Sequence, residues 1–113
     1  MNTEAMNTLK QVRVVISILQ KEISDPTYTK NEKILIGNVL VNLNKLEDIV
    51  INSILQEMVD KINSANAELK KLISDMEEST ERIAKFSKTV GKISNVVGVL
   101  ADITAKAISV GIL

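Results

Sequence analysis

The sequence predicts an all-α fold: a helical bundle with a long coiled-coil-like central helix or helical hairpin. Three observations carry this expectation. Apolar residues recur in steps of three and four along nearly all of the 113 residues, the repeat that lines one face of an α-helix. Between Gly37 and Gly91 the chain has neither proline nor glycine, the two residues that most often punctuate structure. Hydrophobic residues make up 45% of the chain but aromatics only 2%, so any core must be built from Ile, Val, Leu, Met and Ala, as bundles and coiled coils are.

The first helix is expected over about residues 3–24. Ala5, Leu9, Val12, Ile16, Leu19 and Ile23 form one stripe by alternating steps of four and three. It must stop near Asp25-Pro26, because proline disfavours helical backbone in the residue before it. Residues 25–29, "DPTYT", are the one clear loop. Lys10 and Arg13 border the apolar run Val14 to Leu19, but that run is too short for a secretory signal and no small-residue cleavage pattern follows. The amino end is therefore expected to be part of the fold.

Thr29 and Glu32 are spaced as a capping box, so a second helix is expected to begin near Lys30. From there a long helix or hairpin should occupy about residues 30–89. One stripe can be followed from Ile36 through Val39, Leu43, Leu46, Val50, Ile54, Met58, Ile62, Ala65, Leu69, Leu72, Met76, Ser79, Ile83 and Phe86 to Val90. A single helix of about 60 residues, roughly 90 Å long, is compatible with it. So is a turn at Asn63 to Asn66 or a break near Asn52-Ser53, since a wide apolar face lets the phase be traced through a hidden turn. Residues 34–55 and 93–113 are apolar around most of the helix, whereas 56–89 carries a narrow seam amid charge. Wide faces need two or more neighbours and a narrow seam needs one. The expectation is a core of helix 1, the first part of helix 2 and the carboxyl helix, with a thinner two-helix arm.

The carboxyl helix is expected over about residues 92–112. Its longest uncharged run, Ile93 to Ala101, falls well short of the ~20 apolar residues that span a bilayer. Asp102 and Lys106 are four apart and suit a solvent-facing strip. Val90, Ile93, Val97, Leu100, Thr104, Ala107 and Gly111 continue the stripe on the other side, flanked by Ser94, Gly98, Ala101, Ala105 and Ser109, small residues that let another helix approach. All 113 residues are read as a single all-helical domain.

The chemistry available is narrow. With no histidine and no cysteine, the chain lacks the side chains of triads, of thiolate chemistry and of the usual zinc and di-iron sites. Its four glycines, Gly37, Gly91, Gly98 and Gly111, are too scattered for a phosphate-binding loop. No enzyme activity, cofactor or metal is expected. A formal net charge of zero provides no long-range field for nucleic acid, and with Tyr28 and Phe86 as its two aromatic residues the chain has no base-stacking platform. The absence of cysteine permits a reducing compartment, and a cytoplasmic location is expected.

Asp75, Glu77, Glu78 and Glu81 precede Arg82, Lys85, Lys88 and Lys92. Within one helix this pairs Glu78 with Arg82 and Glu81 with Lys85; across a two-fold axis it would favour antiparallel pairing of two copies. Tyr28 is expected to pack over helix ends, and any of Asn38, Asn42, Asn44 and Asn52 that faces the core could fix register. The function read from these features is that of a non-enzymatic helical interaction or scaffold protein, acting through coiled-coil-type self-association, most simply as a homo-oligomer, or through a partner helix. The expected interface is Met58, Ile62, Leu69, Leu72, Met76, Ile83, Phe86, Val90, Ile93, Val97 and Leu100. The alternative is a small membrane-active protein whose carboxyl helix inserts into a bilayer or lies on it.

Overall fold

The structure, a computed structural model, describes residues 3–52, 55–79 and 81–109. They form four helices: α1 (Thr3–Glu22), α2 (Lys30–Asn52), α3 (Leu55–Glu77) and α4 (Glu81–Ser109). Packing runs α1 on α2, α2 on α3, α3 on α4 and α4 back on α1. Consecutive helices joined by short turns run antiparallel, so the chain closes as an up-and-down four-helix bundle. The molecule measures 51 × 22 × 17 Å, the length of its longest helix plus the turns.

Each helix boundary has a local cause. At the end of α1 the Asp25 carboxylate accepts from the Thr27 backbone N–H at 2.9 Å and from the Thr27 hydroxyl at 2.7 Å, a side-chain-closed turn that Pro26 follows naturally. Helix α2 starts on the capping box read from the sequence. The Glu32 N–H donates to the Thr29 hydroxyl at 3.2 Å and the Thr29 N–H donates to the Glu32 carboxylate at 2.8 Å, satisfying two otherwise orphaned backbone donors. At the end of α3 the Met76 carbonyl accepts from the Ser79 N–H at 3.0 Å and the Ser79 hydroxyl at 2.7 Å. A serine thus closes the helix where a glycine would be usual.

Several expectations are corrected. Of the two alternatives for residues 30–89, one long helix or a hairpin, the single helix is excluded, since α2 ends at Asn52 and packs against α3, which ends at Glu77. Of the two suggested breaks, the one near Asn52-Ser53 marks the end of α2, while Asn63 to Asn66 lies inside α3. The carboxyl helix begins at Glu81 instead of about residue 92, because the stop is made by Ser79 and nothing interrupts the chain at residues 89–92. It is described to Ser109, and residues 110–112 lie outside the described part. Helix α1 ends at Glu22, two residues early, as Ser24 and Asp25 turn back onto the Lys21 and Glu22 carbonyls. There is no separate two-helix arm, since α3 and α4 share the most extensive interface in the bundle and α4 also packs on α1.

One core runs through all four helices. Leu19, Ile36, Leu43, Leu46, Ile62, Leu69, Met76 and Ile83 are essentially inaccessible to solvent. A buried leucine or isoleucine contributes about 1.5–3 kcal/mol relative to leaving it exposed. The core contains one polar exception on α2. The Asn42 side chain is buried, and its Nδ2 donates to the Ala65 carbonyl of α3 at 3.2 Å. Its Oδ1 has no hydrogen-bond partner among the described residues. Such an orphan acceptor costs about 1–3 kcal/mol. Asn42→Leu removes the orphan at similar volume, and Ala65 O keeps its place in the α3 ladder. Urea denaturation of the variant should show a gain of about 1 kcal/mol or more; a loss would mean that the amide holds α2 on α3 more strongly than its unpaired oxygen weakens it.

Candidate association surface

The eleven residues expected to meet a partner are already occupied. Met58, Ile62, Leu69, Met76, Ile83, Val90, Ile93, Val97 and Leu100 are buried in the core of the single chain, and Leu72 and Phe86 pack half-buried against it. The reason is topological: the turns after Asn52 and Glu77 fold the seam back on itself, so each stretch finds its partner within the same chain. In this fold those side chains are core and not surface.

The surface holds a different apolar set, which lies beside the buried stripe. On α4 the exposed residues Val96, Val99 and Ile103 follow one another at steps of three and four, so they share one face. They border a groove of about 370 Å³ between α1 and α4, completed by Asn7, Thr8, Gln11, Asn95 and Leu100. None of these lining residues is charged. Met6, Val14 and Ile18 are exposed on α1. On α2 a second exposed set stands outward, with Ile34 at 52% and Val41 at 69% exposure. A large apolar side chain standing singly in water is ordinary, but a contiguous set beside a groove is what contact surfaces look like.

Charge is sorted between the helices, although it sums to zero over the chain. Helices α1 and α4 carry eight Lys and Arg against four Asp and Glu, a net +4, whereas α2 and α3 carry six against eight, a net −2. Asp25 and Glu78 in the turns supply the remaining −2. Adding charges helix by helix could have revealed this from sequence, but only once the helix limits and their packing order were known.

At the far end of the α1–α4 pair the loop is gripped by the first turn of α4. The Arg82 guanidinium lies 3.7 Å from the centre of the Tyr28 ring, donates to the Thr27 hydroxyl at 2.6 Å and sits 3.7 Å from the Asp25 carboxylate. Tyr28 thus packs over the helix ends as expected, and it is buried. The expected pairing of Glu78 with Arg82 is replaced, because the two residues lie on opposite sides of the α3–α4 turn and Arg82 points to the loop. Hydrogen bonds from the Thr27 backbone and hydroxyl, with Arg82 nearby, hold the Asp25 carboxyl below its usual pKa. Burial is the main cause of the raised pKa of the Tyr28 hydroxyl, and contact with Tyr28 further favours the charged form of Arg82.

A polar layer crosses the middle of the bundle. Beyond the Asn42 bond to Ala65 O, the buried Ser94 hydroxyl of α4 donates to the Asn66 Oδ1 of α3 at 3.4 Å. Gly98 stands beside it, where an added Cβ would come 3.6 Å from Asn66 Nδ2, an ordinary contact. Among the described residues no group of three or more His, Cys, Asp or Glu is placed to hold a metal ion, and no helix is long and apolar enough to cross a membrane.

The loop grip gives a prediction about acid. Because folding lowers the Asp25 pKa, the unfolded chain takes up that proton more readily than the folded one. The stabilisation is present above the unfolded value of about 3.9 and is lost as pH falls through the lower folded value. Asp25→Asn should therefore melt lower than the wild-type chain at pH 6, with the difference shrinking towards pH 2–3. A difference that is flat across that range would remove the carboxylate from the account.

No family model, curated protein or solved structure matches the chain.

Proposed function

We propose that the chain is a non-enzymatic helical module that works by association, with a second copy of itself as the partner, and that the α1–α4 groove is one of its contact surfaces. The observation that carries this reading is the exposed set Val96, Val99 and Ile103 beside an uncharged groove. The backbones on both sides of the groove are helical and internally bonded, so an extended strand would find no edge to pair with. A helix, by contrast, can lay a row of side chains into it. A standard interface takes about 800 Å² from each partner, roughly an eighth of the 6694 Å² surface. One long side of a molecule 51 Å in length offers that much.

A second reading has one observation in its favour. The net positive charge of α1 and α4 lies on the helices that expose Met6, Val14, Ile18, Val96, Val99 and Ile103, a combination that attracts anionic lipid. Because no described helix can span, such contact would lie on the bilayer surface. The groove argues against it, since a flat bilayer leaves a concavity unfilled.

Sedimentation equilibrium over a wide concentration range tests the reading. A mass rising above the 12.4 kDa of one chain is expected, and the triple change Val96→Ser, Val99→Ser, Ile103→Ser should weaken association more than tenfold while leaving helicity unchanged. A mass of one chain at every concentration overturns it. If that monomer also floats with vesicles rich in anionic lipid, but not with neutral ones, the second reading takes its place.

A further inference from the structure

A second groove lies between α3 and α4, and unlike the first it is polar. Its volume is about 580 Å³, and Asn63, Asn66, Lys70, Ser94, Gly98 and Asp102 are among the residues that line it. At its centre is Asn66, only 6% exposed. The Asn66 Oδ1 accepts from the Ser94 hydroxyl at 3.4 Å, while the Nδ2 donates to none of the described residues. That Nδ2 faces Gly98: a Cβ there would stand 3.6 Å from it, and glycine keeps the approach open. A largely buried N–H costs stability unless an acceptor reaches it. The groove therefore has a fixed donor at its floor and room for a ligand atom beside it.

Two charged side chains flank this donor. Lys70 is one turn beyond Asn66 on α3 and Asp102 is one turn beyond Gly98 on α4, each about 6 Å along its helix. The two helices run antiparallel, so these charges stand at opposite ends of the groove, about 12 Å apart along its axis. Helical side chains lean toward the amino end of their own helix. Both charges therefore lean inward, Lys70 toward Asn66 and Asp102 toward Gly98. Neither forms an ion pair among the described residues.

Going beyond association, we infer that the α3–α4 groove binds a free α-amino acid as its zwitterion. The ligand carboxylate accepts from the Asn66 Nδ2 within reach of the Lys70 ammonium, and the ligand ammonium donates to the Asp102 carboxylate. A simple anion would meet the charge of Asp102 and a simple cation that of Lys70, so a ligand carrying both signs suits both ends. Spacing selects a small one. An α-amino acid holds its charged groups about 3 Å apart, and a hydrogen bond of about 3 Å at each end bridges the rest once both side chains lean inward.

Nitrogen–proton correlation NMR of the full chain tests this, with L-alanine as the probe. At fixed protein concentration L-alanine should shift the Asn66 side-chain amide and the Gly98 backbone signals along a saturable curve. N-acetyl-L-alanine keeps only the carboxylate and L-alaninamide only the ammonium. Each should bind about tenfold more weakly or worse, having lost one charge-assisted contact. Lys70→Gln should weaken L-alanine binding by about the same factor. Gly98→Ala sets a methyl group against the Asn66 Nδ2 and should abolish the shifts. Its melting temperature should hold or rise, because alanine favours helix over glycine, which separates a blocked site from a damaged fold. No saturable shift at Asn66 up to about 50 mM L-alanine overturns the inference. So does equal binding of the N-acetyl derivative, or a Gly98→Ala chain that binds as the wild type does.

Discussion

Closure of an aliphatic seam within one chain is the constraint on which the other features depend. The chain has almost no aromatic mass, so the core is made of many small contributions from Leu, Ile, Val and Met, and none of its side chains dominates. Such a core is stable only if each helix finds neighbours along most of its length. Four helices in a ring meet that need, and α3 with its narrow seam takes part as fully as α2 with its wide face. What remains outside follows from the same geometry. Helices that are apolar around most of their circumference cannot bury every side chain in a two-layer bundle, so α2 and α4 leave Ile34, Val41, Val96, Val99 and Ile103 in water.

The elements that could be read from sequence were those with a local chemical mark. Pro26 after Asp25, and Thr29 three residues before Glu32, state the first loop and the start of α2 in side-chain chemistry, and both operate as read. The later turns carry no such mark. The end of α3 depends on Ser79, which occurs as readily inside a helix as after one, and the stripe Met76, Ser79, Ile83 passes through the turn in phase. Periodicity reports which residues are buried but not on which side of a turn their partner lies. The seam is therefore legible residue by residue, while its packing within one chain depends on turns that leave no mark in the sequence. The groove was illegible for a related cause. Val96, Val99 and Ile103 look like core by type, and only the position of α1 shows that they are left over.

Net charge gave the opposite error. A sum of zero hides an uneven distribution, in which α1 and α4 together carry net +4, α2 carries none and α3 carries −2. At about 0.15 M salt the screening length is about 8 Å, shorter than the 22 Å width of the bundle. A neighbour touching one side therefore responds to that side far more than to the total. Exposed pairs such as Arg13 with Glu47, at 3.2 Å, and Lys45 with Glu68, at 3.7 Å, contribute little stability each.

The buried amides settle a problem that an aliphatic core creates. Side chains of similar size can be exchanged between layers, so helices could slide by a turn at small cost. Asn42 on Ala65 O fixes the level of α2 against α3, and Ser94 on Asn66 does so for α3 against α4. Displacement by one turn, about 5.4 Å, would break these bonds and leave polar atoms unpaired in the core. Helix α1 buries Leu9, Val12, Val15, Ile16 and Leu19 in the same core, with Arg13 against Glu47 on its exposed side and the loop that Arg82 grips at its end. Both walls of the α1–α4 groove are therefore held from the core side as well as by polar contacts.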